Sequence, residues 1–423
     1  MNEKLSALEY VKEGKKALVD NEFVKAKEAF LKALSLKNDI FDAIFNLAGL
    51  YFLEGDFKNS LKFFEKALAL QPRNGEIYYN IGLVYQETNR FKRAKKYYER
   101  ALRLNPADVT VFYNLSFIYL TEGDYKRGFD YYRFRYHPSL KNRNTFLISP
   151  VNLLDDKKKI ENGRLFIYEE QGLGDMIQFI RFLPVFKDMK AKEISVRMPK
   201  PLVKLFSYNY PDINFTDEIL EFDYHFPLME SGYILGIEKE NIPYKESYLK
   251  VNRKDSEDFS KKYMKGFEGK KRVGIVWRTN LADKSDVMTK IRSKSKREID
   301  LKELLDAVWR EDLVFYSLQK EESLKEKELL KRYGVISLDE RLNDFYDTAL
   351  AIDNLDSVIT IDTSVVHLSG AMGKETLLLA PFNSDWRWGD GDRKSFWYDS
   401  VRIFRKSESG KWDEALKEIR KLV

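Results

Sequence analysis

The residues able to do chemistry in this chain are few, because cysteine is absent and histidine occurs three times, at His137, His225 and His367. Disulfides, thiolate nucleophiles, zinc–cysteine sites and iron–sulfur clusters are excluded together. The three histidines lie in three different regions, which argues against a three-histidine metal site. Four segments remain. In EQGLGD, Gly172 and Gly174 let backbone approach a ligand beside Gln171, and Asp175 stands at a helix start, where a carboxylate serves as a cap or, at a cleft, as a general base. In DTSVVH, Asp362, Thr363 and Ser364 open a helix carrying His367, an arrangement suited to a pyrophosphate or to plain capping. Residues 282–297 hold Lys284, Lys290, Arg292, Lys294, Lys296 and Arg297 against Asp283 and Asp286, which reads as a phosphate-binding loop or a solvated one. Asp390-Gly391-Asp392 has the spacing of a metal-binding DxD, but its polar surroundings favour a turn.

Three of these segments follow strand patterns. After Gly163 short β-rich runs alternate with helical stretches, the pattern of βαβ units around a parallel sheet. RLFIYE leads into QGLGD and the helical DMIQFIRFLPVF; KEISVRM and DINFT complete a small first lobe, 163–260. Residues 251–271 read as a polar interlobe stretch. A second lobe, 261–423, has five strand runs: RVGIVW, LVFYSLQ, GVISL, SVITI and ETLLLA. Ligands of such sheets bind beyond the carboxyl ends of the strands. EQGLGD fails as a dinucleotide fingerprint, since Ile177 stands where a third glycine belongs.

The first third is periodic at 34 residues. Four copies align the columns Tyr10, Ile44, Tyr78, Phe112; Gly14, Ala48, Gly82, Ser116; Phe23, Phe57, Phe91, Tyr125; and Ala33, Ala67, Ala101, Arg135. Each reads as two amphipathic helices with small residues at close approaches, aromatics between them, and Pro72 and Pro106 as stops. The columns resemble tetratricopeptide repeats over residues 7–136, which implies a helical solenoid able to hold a peptide or protein. Copy four departs from the pattern at Gly128 and Arg135, as a junction would. Residues 137–162 form an aperiodic, moderately apolar connection, expected to pack on the solenoid.

The chain has 423 residues, 43% hydrophobic and 33% charged, with a net charge of +6. These are values for two to three globular units and not for a generic nucleic-acid binder. A charged N-terminus and the lack of any long apolar run predict a cytoplasmic protein without a transmembrane segment.

EQGLGD, GIVWRTN, YSLQKEE, the 347–374 stretch and PFNSDWRW together resemble the bacterial tetratricopeptide-repeat glycosyltransferases related to heptosyltransferases, and more distantly O-GlcNAc transferase. The resemblance implies a repeat solenoid (1–136) followed by a GT-B transferase of two Rossmann-like lobes. It implies metal-independent, inverting transfer of a sugar from a nucleotide-sugar donor to a hydroxyl, with no obligatory cofactor, on a protein or peptide held by the repeats. Asp175 matches the proposed base; Asp362, Thr363, Ser364 and His367 match the donor nucleotide and diphosphate segment. Trp277 and Gln319 border the donor pocket, and Arg297 best matches the basic residue after the first strand of the second lobe. The alternatives are an interaction scaffold with an inactive transferase-like domain, and a transferase acting on a glycan or lipid-linked acceptor.

Overall fold

The structure, a computed structural model, describes residues 2–140, 147–149, 151–266, 269–279 and 297–423, with side chains from residue 6 onward. The chain divides into two compact units, Met1–Ile118 and Tyr119–Val423.

The first unit is helical throughout. It holds α1 (Asn2–Val19), α2 (Phe23–Leu36), α3 (Phe41–Glu54), α4 (Phe57–Leu70), α5 (Gly75–Glu87), α6 (Phe91–Leu104) and most of α7 (Val109–Glu122). The 34-residue period becomes helix pairs because each carries one buried stripe: Ala26, Ala29, Phe30 and Ala33 on α2; Ser60, Phe64 and Ala67 on α4; Ala94, Tyr98 and Ala101 on α6. A Cβ on Gly82 would stand 2.5 Å from the Tyr98 ring, so the small-residue column exists to let the paired helix's aromatic in. Asp56 and Asn74 cap α4 and α5 through the amides of Asn59 and Glu76.

The division between units falls inside α7, not at residue 136. The reason is chemical. In the second unit, α8 (Tyr125–Tyr132) buries Tyr125 and Phe129, whose rings lie 6.3 and 6.0 Å from Trp386. Arg135, which replaces the alanine of the repeat, is fully buried and bonds Glu170 Oε1 at 2.6 Å, with Glu230 Oε1 at 2.8 Å. Of the copy-four departures, Arg135 thus ties the end of the repeat to the α/β region, while Gly128 lets α8 close on Leu120 of α7.

That region contains two parallel sheets. The first, ordered β3-β2-β1-β4, has β1 (Arg164–Tyr168), β2 (Glu193–Arg197), β3 (Asn214–Thr216) and β4 (Tyr224–Pro227). The second, ordered β10-β9-β8-β5-β6-β7, has β5 (Lys271–Val276), β6 (Leu313–Ser317), β7 (Ile336–Ser337), β8 (Ser357–Ile361), β9 (Glu375–Ala380) and β10 (Val401–Arg405). Its order is that of a doubly wound sheet, which reverses direction between β5 and β8. Helices α9 (Leu173–Phe179), α10 (Leu183–Asp188), α11 (Lys200–Asn209), α12 (Ser231–Ile234), α13 (Arg253–Tyr263), α14 (Leu301–Val308), α15 (Leu324–Arg332), α16 (Phe345–Asp353), α17 (Ser364–Ala371) and α18 (Asp413–Ile419) accompany the strands.

Several expectations change. β4 and β10 add a strand to each sheet. The polar 251–271 stretch contains α13, started by Asn252, which accepts from the amides of Lys254 and Asp255. Ser256 of α13 hydrogen-bonds Asp353 and Asn354 beside α16, so the helix belongs to the second lobe. The expected helix over 175–186 is split by a 3₁₀ turn at Ile180–Phe182. The connection pairs with the first sheet: the Leu154 amide donates to His225 O and the His225 amide to Asn152 O, both at 3.0 Å. No helix among the described residues is long and apolar enough to cross a membrane.

Candidate active site

Each sheet places one of the chemistry-bearing loops at the carboxyl end of a strand. QGLGD leaves β1, between β2 and β4 in the sheet; DTS leaves β8 at the switch point of the second sheet. Gln171 opens the first loop with φ 65°, and its amide donates to the Tyr132 hydroxyl. Asp175 is the third residue of α9, and its Oδ2 accepts from the Gly172 amide at 2.8 Å. Thr363 caps α17, its hydroxyl accepting from the Val365 amide at 3.3 Å. Neither the amide nor the hydroxyl of Ser364 has a hydrogen-bond partner among the described residues. Two donors therefore stand open at that helix N-terminus.

The two helix starts meet. A Cβ on Gly174 would come within 2.7 Å of His367 Cδ2 and 3.5 Å of Ser364 Cα, so glycine is required for α9 to lie on α17. His367 is 5% exposed, hydrogen-bonds the Tyr398 hydroxyl through Nδ1 at 3.0 Å and stacks on Trp388 at 5.2 Å. Burial, with the Arg387 charge, pushes its pKa down to about 3, so its imidazole is neutral. Anything His367 offers a diphosphate, it offers as an uncharged group.

The bridge between the loops comes from a third segment. Arg387, buried in a short 3₁₀ turn after β9, donates from Nε to Gln178 Oε1 at 2.6 Å and from Nη1 to Asp385 Oδ1 at 2.7 Å, and its Nη2 pairs with Asp175 Oδ1. Burial opposes this guanidinium's charge, but Asp175 and Asp385 more than offset it and raise its pKa. Asp175 itself is raised by burial, against the pull of Arg387. Burial also acts on Asp385, yet Arg387 and Arg297 hold it below the usual carboxylate range. Arg297 Nη1 lies 3.9 Å from Asp362 Oδ2, and burial raises Asp362. The Trp388 indole N–H favours the Asp362 carboxylate electrostatically without meeting hydrogen-bond geometry. The chain Asp175–Arg387–Asp385–Arg297–Asp362 alternates in sign, with three carboxylates to two guanidiniums.

Trp277 and Gln319 lie at the ends of β5 and β6 and bind one another: Gln319 Oε1 accepts from the amides of Trp277 at 3.4 Å and Arg278 at 3.2 Å. Glu326 takes the Trp277 indole at 2.7 Å and pairs with Arg278; despite burial, those donors bring its pKa to about 2. Asp390 and Asp392 are exposed in a turn formed by Gly389 and Gly391, both at positive φ. No group of metal-ligating side chains occurs among the described residues. Lys284, Lys290, Arg292, Lys294 and Lys296 lie outside the described residues.

Arg387, Asp385, Gln178, Trp388 and Tyr398 carry no role in the sequence reading. The available signal was positional: PFNSDWRW directly follows the strand ETLLLA, at the same end of the sheet as DTS.

Residues 39–107 match the tetratricopeptide-repeat family. Protein FlbA of Caulobacter vibrioides is 24% identical over 308 residues, covering 67% of this chain and 49% of FlbA. The chain thus spans about half the length of the curated relative it matches, and the match is far longer than the first unit. Among solved structures, MamA protein is 22% identical over 32% of this chain and 72% of its own, with a TM-score of 0.29. YrrB, a TPR protein with an unusual peptide-binding site, is 25% identical over 30% of this chain and 66% of its own, with a TM-score of 0.27. The N-terminal region is a tetratricopeptide-repeat solenoid.

Proposed function

We propose that the α/β region is a GT-B-type glycosyltransferase of hexosyl- or heptosyltransferase type. It moves a sugar from a nucleotide-sugar donor to a hydroxyl, with the acceptor on a protein or peptide engaged by the repeats. The observation that carries this reading is the convergence of the β1 loop and the β8 loop: Gly174 lies on His367, and Arg387 ties Asp175 to the second lobe. In the proposed reaction Asp175 accepts the acceptor hydroxyl's proton as that oxygen attacks the anomeric carbon, and the nucleoside diphosphate departs with inversion. The Ser364 amide and hydroxyl, the helix start capped by Thr363, and Arg297 face the leaving diphosphate. Asp362 orients Arg297, and His367 fixes the neutral wall behind them. Trp277 and Gln319 hold the β5 and β6 ends that border the donor.

Thermal unfolding against a panel of nucleoside diphosphates and nucleotide sugars, without divalent metal, tests the donor site. A ligand at 100 times its Kd stabilises the native state by about 2.7 kcal/mol. A shift with one base names the donor class, and no shift with any removes the reading. Asp175→Asn then separates roles: turnover collapses while the donor-induced shift survives, and unchanged turnover excludes Asp175 as base.

One observation favours a second reading, an interaction scaffold with an inactive transferase-like domain. Both Asp175 oxygens are already engaged, one by the Gly172 amide and one by Arg387. In that reading the alternating charges are a structural strut, and the nucleotide panel gives no shift.

A further inference from the structure

Between Phe57 and Leu104 eleven lysines and arginines stand against four glutamates, a surplus of seven that exceeds the net +6 of the whole chain. Six of these cations fall on a pattern. Lys58, Lys62 and Lys66 of α4 recur one repeat later as Lys92, Lys96 and Arg100 of α6. All six are exposed, opposite the stripes that bury Phe64 and Tyr98, and none forms an ion pair among the described residues. Lys66 and Arg100 rest over the rings of Phe63 and Tyr78, which fixes two of the six heads.

The repeat does not require this. The same columns read Val24, Glu28 and Lys32 in copy one, and Lys126, Asp130 and Phe134 in copy four. Complete rows of three cations are therefore confined to two adjacent repeats, while the aromatic packing column Phe23, Phe57, Phe91 and Tyr125 runs through all four.

We infer that the exposed stripes of α4 and α6 form a docking face for an extended acidic protein segment with Asp or Glu at alternate positions. Residues four apart on a helix stand about 6 Å apart along its axis. Alternate side chains of an extended chain stand about 7 Å apart on one side. A row of three cations thus meets alternate carboxylates nearly one to one, and Glu65 and Glu99, repeated beside the rows, disfavour a continuous block of acid. Lipid and nucleic acid fit less well. The only large apolar side chains exposed in this stretch are Leu70 and Leu104, too few to enter a bilayer, and no exposed aromatic offers a base a stacking surface.

The test uses the full chain and a fluorescein-labelled peptide of alternating glutamate and serine, followed by anisotropy. The wild type binds, and binding weakens as salt rises. The triple variants Lys58→Gln/Lys62→Gln/Lys66→Gln and Lys92→Gln/Lys96→Gln/Arg100→Gln each lower affinity about tenfold. Lys157→Gln/Lys158→Gln/Lys190→Gln, equally exposed elsewhere, leaves it unchanged. Helical circular dichroism selects the folded variants, and either row alone decides the matter. Absence of peptide binding by the wild type overturns the inference, as does wild-type affinity in either folded triple. So does capture of phosphatidylserine vesicles or a single-stranded oligonucleotide under conditions where the peptide stays free.

Discussion

The two units place charge in opposite ways. In the repeats charged groups lie outside: Lys15–Asp42 and Lys27–Glu54 are partly or largely exposed pairs, and the interior is aromatic, aliphatic and small. In the α/β region Arg135, Arg181, Arg387, Glu170 and Glu230 are buried almost completely. Buried ions are expensive unless paired. A periodic solenoid has no need of them, because each repeat repeats its neighbour's packing, whereas a region assembled from distant loops uses charge to hold those loops in one arrangement.

Breaking the contrast should begin where it is greatest. Arg135→Met leaves the buried Glu170 carboxylate with only the Tyr136 hydroxyl and Glu230 with only the partly exposed Arg133, and should cost the α/β region about 3–5 kcal/mol in urea unfolding. A cost under about 1 kcal/mol would show that water reaches the cluster.

The next effect is in pH. His367 titrates near 6.5 when unfolded and near 3 when folded, so the unfolded chain binds the extra proton. Its contribution is fully present above about pH 6.5 and is lost as pH falls towards 3. Asp175 and Asp362 act with the other sign: burial raises their folded pKa, so they favour folding in acid and cost stability as pH rises through it. His367→Gln should therefore flatten the acid side of the stability profile, and an unaltered slope between pH 6.5 and 4 would mean the imidazole is hydrated.

Smaller effects sharpen the comparison. Gly82→Ala and Gly174→Ala each press a Cβ into a ring, Tyr98 in one unit and His367 in the other, and each should cost about 1–3 kcal/mol. Only Gly174→Ala should also reduce the nucleotide-induced thermal shift; an equal reduction by both would dissociate that shift from the loop. Last, Lys27→Ala removes a partly exposed pair at 2.6 Å and should change stability by no more than about 0.5 kcal/mol.

What could be read in the chain follows the same division. The repeats were legible because their packing columns recur at fixed distance, and eight helices stand where four copies placed them. SVITI and ETLLLA were legible because central parallel strands are continuous apolar runs. VRIFR and YHFP were not: one is an edge strand with exposed Arg402, the other carries a histidine and a proline. The loops after β1 and β8 were legible from glycines and hydroxyls beside strands. Their bridge was not, since Asp175 and Arg387 stand 212 residues apart and an ion pair across such a distance leaves no local pattern.

Helix α7 belongs to both units, and that decides where the molecule can be cut. Removing residues 1–136, the span of the repeat pattern, would also take away Tyr125, Phe129 and Arg135, baring Trp386 and stranding Glu170 and Glu230. Such a fragment would be inactive for want of folding, and its silence would be mistaken for dependence on a repeat-bound acceptor. A fragment beginning at Val109 keeps those contacts and the whole of α7, so whatever it loses can be assigned to α1–α6.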